Sequence, residues 1–325
     1  MTNETTLNTI RYYTAIIPIL PTLGLILNII IFLIFSHSTF SKQNVYAFLK
    51  YEAFFIAVDL FINSFEFITV CPGIKSTYLA QVYFIYPLII STSFFELSAI
   101  ICHIISNMEL ILLISNKERP KLLQKLPNKI ICLMVFLFSC VLYSYMFFLN
   151  YIKVDFSENN GFNQTWTQVL GYKLGYTEFN ETSLKKFIDI LVFVIRDGVC
   201  LAILVALNIV IFYKVKTALS KKKLILSPEQ TSTSNNMKKK KLKSSNRKTS
   251  IMVIVISLSY TIGRLPYLVN SIIGNISSSV DILSFISVLC IFVSYDSYFF
   301  IYYFFNNRFR SLFKESISFF AKCRK

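Results

Sequence analysis

Asn306-Asn307-Arg308-Phe309-Arg310-Ser311-Leu312-Phe313-Lys314-Glu315-Ser316-Ile317-Ser318-Phe319-Phe320 follows, without a Pro or Gly, on a run from Ile282 to Phe305 that is apolar and aromatic for about 24 residues. A run of that length can cross a bilayer as one helix. In the segment after it, Phe309, Leu312, Phe313, Ile317 and Phe320 recur at three- and four-residue steps, which predicts one apolar stripe on a helix. Arg308, Arg310, Lys314 and Glu315 fall outside that stripe. A short helix of this kind lies along a membrane surface, with its basic side toward anionic head groups. The plainer reading is a soluble helix after a core helix, and composition decides between the two.

The chain has 325 residues, of which 54% are hydrophobic and 15% charged, with a mean hydropathy of +0.58. Soluble domains carry roughly 25% charged residues. A chain this poor in charge, with several apolar runs near spanning length, reads as a polytopic helical membrane protein. Seven such runs are present, at about 12–36, 45–70, 83–114, 130–151, 187–213, 251–273 and 282–305. The expected fold is therefore all-α: a seven-transmembrane helix bundle with a short amphipathic eighth helix in the tail, 306–325. Seven cysteines (71, 102, 132, 140, 200, 290 and 323) form no CxxC pair, and two histidines, His37 and His103, are too few for a metal centre. No cofactor is expected. The first eleven residues are polar, and the apolar run after them shows no cleavage pattern, so the first span is expected to be its own targeting signal.

Orientation follows from the loops. One set (37–44, 115–129, 214–250 and the tail) holds 24 of the 33 basic residues: Lys42, five from Lys117 to Lys129, twelve from Lys214 to Lys248 and six from Arg308 onward. The opposite set holds six. Basic residues collect on the cytoplasmic side, so the N-terminal segment 1–11 is expected outside and the tail inside, at the plasma membrane. The net charge of +16 is thus topological and does not point to nucleic acid. Glycosylation sequons at Asn3, Asn163, Asn180 and Asn275 all fall on the outer side. The third inner loop, 214–250, combines a polar low-complexity stretch with Lys238 to Lys241 and reads as disordered without a partner. It is either a solvated, lipid-attracted loop or one whose ends dock a cytoplasmic partner.

The same architecture, with several short motifs, resembles the rhodopsin-like (class A) G-protein-coupled receptors over nearly the whole chain, and within them the divergent orphan receptors of invertebrates. Gly24-Leu25-Ile26-Leu27-Asn28 matches the family's span-one Gly-x-x-x-Asn, and Ala57-Val58-Asp59-Leu60 its span-two element, although the gap from Asn28 to Asp59 is a few residues long. Gly263-Arg264-Leu265-Pro266-Tyr267 keeps only the proline of Cys-Trp-x-Pro, and Tyr298-Phe299-Phe300-Ile301-Tyr302 keeps only the tyrosine of Asn-Pro-x-x-Tyr. Phe304 to Arg310 matches the turn into helix eight. At the inner end of span three Glu109 stands for the acid of Asp/Glu-Arg-Tyr, and Leu110 replaces its arginine. The second outer loop, 152–186, has no cysteine, so the family's disulfide cannot form. Span seven has no lysine for a retinal Schiff base. Thr92 stands where amine receptors carry aspartate, which argues against a biogenic amine.

Ionisable groups within spans are costly and usually face the bundle interior. Glu96, Arg196 and Arg264 are expected in the outer-to-middle half, with Tyr267 and Asn270 on the face of Arg264 and Thr92 nearby. Two guanidinium groups and one carboxylate suit a polar or acidic ligand, a peptide or a small molecule; equally, Glu96 with Arg264 and Arg196 with Asp197 can simply neutralise one another. Asp59 is a cation site or a hydrogen-bond hub. Glu109 is expected to meet the basic inner loops. Pro266 is expected to kink span six, giving its inner half a lever. Tyr213 and Tyr302 are either interior partners of an open state or interfacial anchors. Cys323, among basic residues, is a candidate palmitoylation site. The reading is a receptor, not an enzyme, that couples an extracellular ligand to a heterotrimeric G protein while contacting membrane lipids. A transporter or channel, or a non-signalling heptahelical scaffold, stands as the alternative.

Overall fold

The computed structural model describes residues 18–40, 43–66, 68, 74, 76–115, 117–161, 164–225, 234–274 and 281–323. Seven long helices make the bundle: α1 (Ile19–Ser36), α2 (Asn44–Asn63), α3 (Tyr78–Ser115), α4 (Asn128–Tyr143), α5 (Ser183–Phe193, Val194–Val199 and Cys200–Ile225 in succession), α6 (Ser234–Gly274) and α7 (Asp281–Phe305). A further helix, α8 (Asn307–Cys323), follows. Six of the seven are long and apolar enough to cross a membrane by length and composition. The exception, α2, carries Lys50, Glu52 and Asp59. It packs between α1 and α3, where Glu52 and Asp59 are turned inward and buried.

The distribution of polarity fits a lipid solvent. Leu23, Ile26 and Leu33 of α1 and Leu133, Leu137, Phe138 and Val141 of α4 lie exposed on the outside, while Asn28, Ser98, His103, Ser106, Asn107 and Ser257 are buried. With hydrocarbon outside, apolar side chains gain little by turning inward, and helices are held together by packing and interhelical hydrogen bonds. Gly24 shows the closeness this allows. A Cβ there would collide with the Asp296 carboxylate of α7 and with Leu60 of α2.

Three departures from expectation stand out. The second span was expected over 45–70, but regular helix ends at Asn63, where the Asn63 amide and the Ser64 hydroxyl bond back to the carbonyls of Asp59 and Leu60 at 2.9 and 2.7 Å. The connection after α4 is not irregular: β1 (Asn150–Gly161) and β2 (Gln164–Tyr176) form an antiparallel hairpin with a bulge at Asp155/Phe156. The basic stretch 214–250, expected without regular structure, is entered by helix from both sides, by α5 to Ile225 and by α6 from Ser234. Lys, Leu, Met and Ala are good helix formers, and a helix already nucleated in the bundle extends through them at low cost.

The hairpin is fastened to the start of α3 without a cysteine. Tyr172 N–H donates to the Ser76 carbonyl at 2.7 Å, and the Tyr78 and Tyr172 rings meet edge to face at 5.4 Å. Gly171 makes the approach possible. Its φ of 146° belongs to a region L side chains rarely adopt, and a Cβ would sit 2.9 Å from the Ser76 carbonyl oxygen. At the opposite end α8 begins at an asparagine cap: Asn306 Oδ1 accepts from the N–H groups of Arg308 and Phe309 at 3.1 and 3.2 Å. Phe309 is fully buried against Phe35, Tyr302 and Phe299, whereas Ile317, further along the predicted stripe, is 52% exposed.

Candidate functional site

Between α3, α5 and α6, on the hairpin side of the bundle's middle, four charges meet. Three of them lie on or just beyond an unusual stretch of backbone. Pro87 has no N–H to give, and α3 widens into a π-helical segment over Phe84–Ser91 before regular helix resumes at Thr92. Glu96 lies one turn beyond. In α5 a second π-helical segment, Val194–Val199, carries Arg196 and Asp197 side by side. Arg264 comes from α6, one turn before Tyr267.

The contacts form a closed set. Arg196 pairs with Asp197 at 2.7 Å and more loosely with Glu96 at 3.4 Å, and its Nη2 donates to the Tyr267 hydroxyl at 3.0 Å. Arg264 pairs closely with Glu96, lies 3.7 Å from Asp197 and reaches the Tyr295 hydroxyl at 3.5 Å. Both guanidinium groups lie over the Tyr267 ring, at 5.3 and 5.7 Å. Arg264 and Asp197 are buried, while Glu96 and Arg196 keep 15% and 12% side-chain exposure. Among the described residues of the cluster Arg264 Nε is buried without a hydrogen bond, and the buried Tyr143 hydroxyl lies beside Arg196 and Asp197. Of the sequence-derived ligand residues, the structure thus joins Glu96, Arg196, Arg264 and Tyr267. Thr92 bonds back to the Leu88 carbonyl in its own helix, and Asn270 is half-buried further along α6.

Nearer the α8 end lies a cluster the sequence did not reveal. His103 Nδ1 is 3.0 Å from the Glu52 carboxylate, its Nε2 is 2.6 Å from Ser257 Oγ, and Asn107 Nδ2 donates to the same Oγ at 3.2 Å. The order is that of a Ser–His–acid relay. Ser257, however, is fully buried and its oxygen already takes the amide proton of Asn107, so the arrangement is a clamp across α2, α3 and α6. No spacing in the sequence points to it, because residues 52, 103 and 257 meet only through helix rotation.

The remaining candidates are placed as follows. Asp59 is 5% exposed and accepts from Asn63 Nδ2 at 3.1 Å. Glu109 pairs at 2.5 Å with Arg119 of the α3–α4 connection; Arg119 also lies over the Phe48 ring, and with the Asn44 amide turned over, its oxygen accepts from Arg119 Nε and Nη2 at 3.1 Å. A cavity of about 580 Å³ opens beside this pair. Leu110, next in sequence, is fully buried. Pro266 lies within a continuous α6. Tyr302 is buried on Phe35 at 4.8 Å, but Tyr213 is 62% exposed on the outer face of α5, turned away from the interior. Asn306 Nδ2 donates to the Tyr46 hydroxyl at 3.3 Å, and that hydroxyl is 3.0 Å from Thr249, so α7, α2 and α6 are joined there. Asn180 is half-buried in the turn Glu178–Glu181. Asn3, Asn163 and Asn275 lie outside the described residues, and Cys323 is the last residue of α8.

The fold is similar to that of squid rhodopsin, whose crystal structure matches over 97% of this chain and 87% of that one, with a TM-score of 0.68 and 14% sequence identity. No protein-family model and no curated protein sequence matches the chain. At that identity the likeness is one of fold: a multi-pass, rhodopsin-like helical bundle.

Proposed function

We propose that the chain is a receptor that couples a ligand, bound at the charged cluster, to a heterotrimeric G protein at the α8 end. The hairpin end then faces outside and the α8 end the cytoplasm, as the basic loops require. One observation carries this reading. The buried side of α6 bears Arg264, Ser257 and Thr249, bonded in turn to the charged cluster, to His103 of α3 and to Tyr46 of α2. A ligand that rearranges contacts around Arg264 acts on the same rigid element that is latched at the far end. Activation is then a population shift between latched and released α6.

Glu109 takes its arginine from Arg119 instead of from the adjacent position, so the acid is restrained by the inner connection. The buried Leu110 favours a second reading, a heptahelical scaffold that binds partners without activating them. G-protein activation in cells, measured across several Gα classes for the parent, Leu110→Arg and Arg264→Ala, separates the two. Exchange altered by Arg264→Ala supports the receptor. Silence in the parent with gain in Leu110→Arg supports the scaffold, and silence in all three at confirmed surface expression removes the receptor reading and turns the test to ion or solute flux.

A further inference from the structure

The charged cluster has a property that bears on what it binds. With two arginines and two carboxylates it is net neutral, because Asp197 completes a set that Glu96 alone would leave cationic. Inside a membrane-spanning bundle, adding a lone anion or a lone cation to a neutral set strands a charge in a medium that solvates it poorly. The four contacts are also unequal. Arg196–Glu96 is long, at 3.4 Å, and joins the two members that retain exposure. Each of these has a second, closer partner deeper in the bundle: Arg196 has Asp197 at 2.7 Å, and Glu96 has the buried Arg264. Splitting the outer pair therefore leaves neither group alone. The unbonded Arg264 Nε adds polar capacity at the same place, and both flanking π-helical segments widen the turns around it.

Resting on the receptor reading, we propose that the ligand of this site is a net-neutral zwitterion of amino-acid type. Its carboxylate lies on Arg196 and its ammonium on Glu96, the two ends inserted into the contact between the cluster's two partly exposed members. A simple acidic ligand, which a cavity with two arginines and one carboxylate would take, is disfavoured.

The test uses the full chain in lipid nanodiscs and reads thermal unfolding. The probes are the free amino acids with uncharged side chains, each compared with its N-acetyl form (an anion) and its methyl ester (a cation). At least one free amino acid raises the unfolding midpoint by about 2 °C or more, while its two singly charged counterparts do not. Glu96→Gln makes the cluster cationic and transfers the stabilisation to the N-acetyl form. Arg196→Gln makes it anionic and transfers it to the ester. The proposal is overturned if no free amino acid stabilises the parent beyond its charged counterparts, or if both variants, folded with midpoints near the parent's, rank the three forms as the parent does. Stabilisation by a zwitterion without G-protein exchange removes the receptor reading and keeps the charge argument. Exchange driven only by a singly charged form does the reverse.

Discussion

Ser257 illustrates how much a single buried hydroxyl can hold. It receives His103 and Asn107 at once, and removing it leaves both without their partner in a closed interior. Ser257→Ala is expected to cost about 1–3 kcal/mol, read as a lowered unfolding midpoint, with Ser257→Thr recovering most of it. If α6 is latched there, Ser257→Ala also raises basal exchange, a change that loss of stability alone does not produce. Gly171 makes a different demand, on backbone rather than hydrogen bonding. Gly171→Ala forces an L side chain into φ 146° against Ser76, and is expected to release the hairpin at a local cost of about 1–3 kcal/mol. Faster hydrogen exchange at the Tyr172 amide checks this, and unchanged protection there contradicts it. Residues of this kind were the least legible in the sequence. No sequence pattern marks Glu52, His103 or Arg119, because their significance comes from partners 51, 154 and 10 positions away.

At the scale of elements the sequence was far more telling. Apolar runs announced the bundle because length and hydrophobicity are the two requirements a bilayer imposes, and they are additive along the chain. The stripe in α8 was likewise visible, although its division into a docked half around Phe309 and an exposed half around Ile317 depends on the neighbouring Phe35 and Phe299. The hairpin is only half legible: Ile152 to Ser157 alternates apolar and polar residues as a strand does, but the run ends in Glu158-Asn159-Asn160-Gly161, and the second strand, Gln164–Tyr176, is broken by Gly171 and Gly175. The extension of α6 through the basic stretch was missed for a different reason, a composition that reads as solvated loop while also tolerating helix. Asn306 is the hinge between α7 and α8, acting as cap and as donor to Tyr46. Asn306→Ala is expected to cost about 0.5–2 kcal/mol and to fray the first turn of α8, seen as faster amide exchange at Arg308 and Phe309 while the middle of α7 is unaffected. Asn306→Asp, which keeps the acceptor, should preserve the cap and lose only the donation to Tyr46.

Taken whole, the bundle is cross-tied at three depths: the charged cluster toward the hairpin, the His103 clamp near the middle, and the Glu109–Arg119 and Tyr46–Thr249–Asn306 contacts at the α8 end. The lowest tie can be measured as a pair. Glu109→Arg and Arg119→Glu should each weaken folding or raise basal exchange, and the double exchange should recover part of the loss, giving a coupling energy of about 0.5–3 kcal/mol in a double-mutant cycle. Strict additivity would mean that the 2.5 Å contact carries no function. The hairpin, in turn, is attached to this frame by an amide–carbonyl bond, a tyrosine pair and a glycine, with no sulfur in the strands. Its attachment is therefore indifferent to thiol chemistry. Reductants that unlock cystine-tethered loops leave this cap in place, and no oxidising compartment is needed to set it. Cell-free synthesis under reducing conditions is accordingly a practical route to the correctly capped protein.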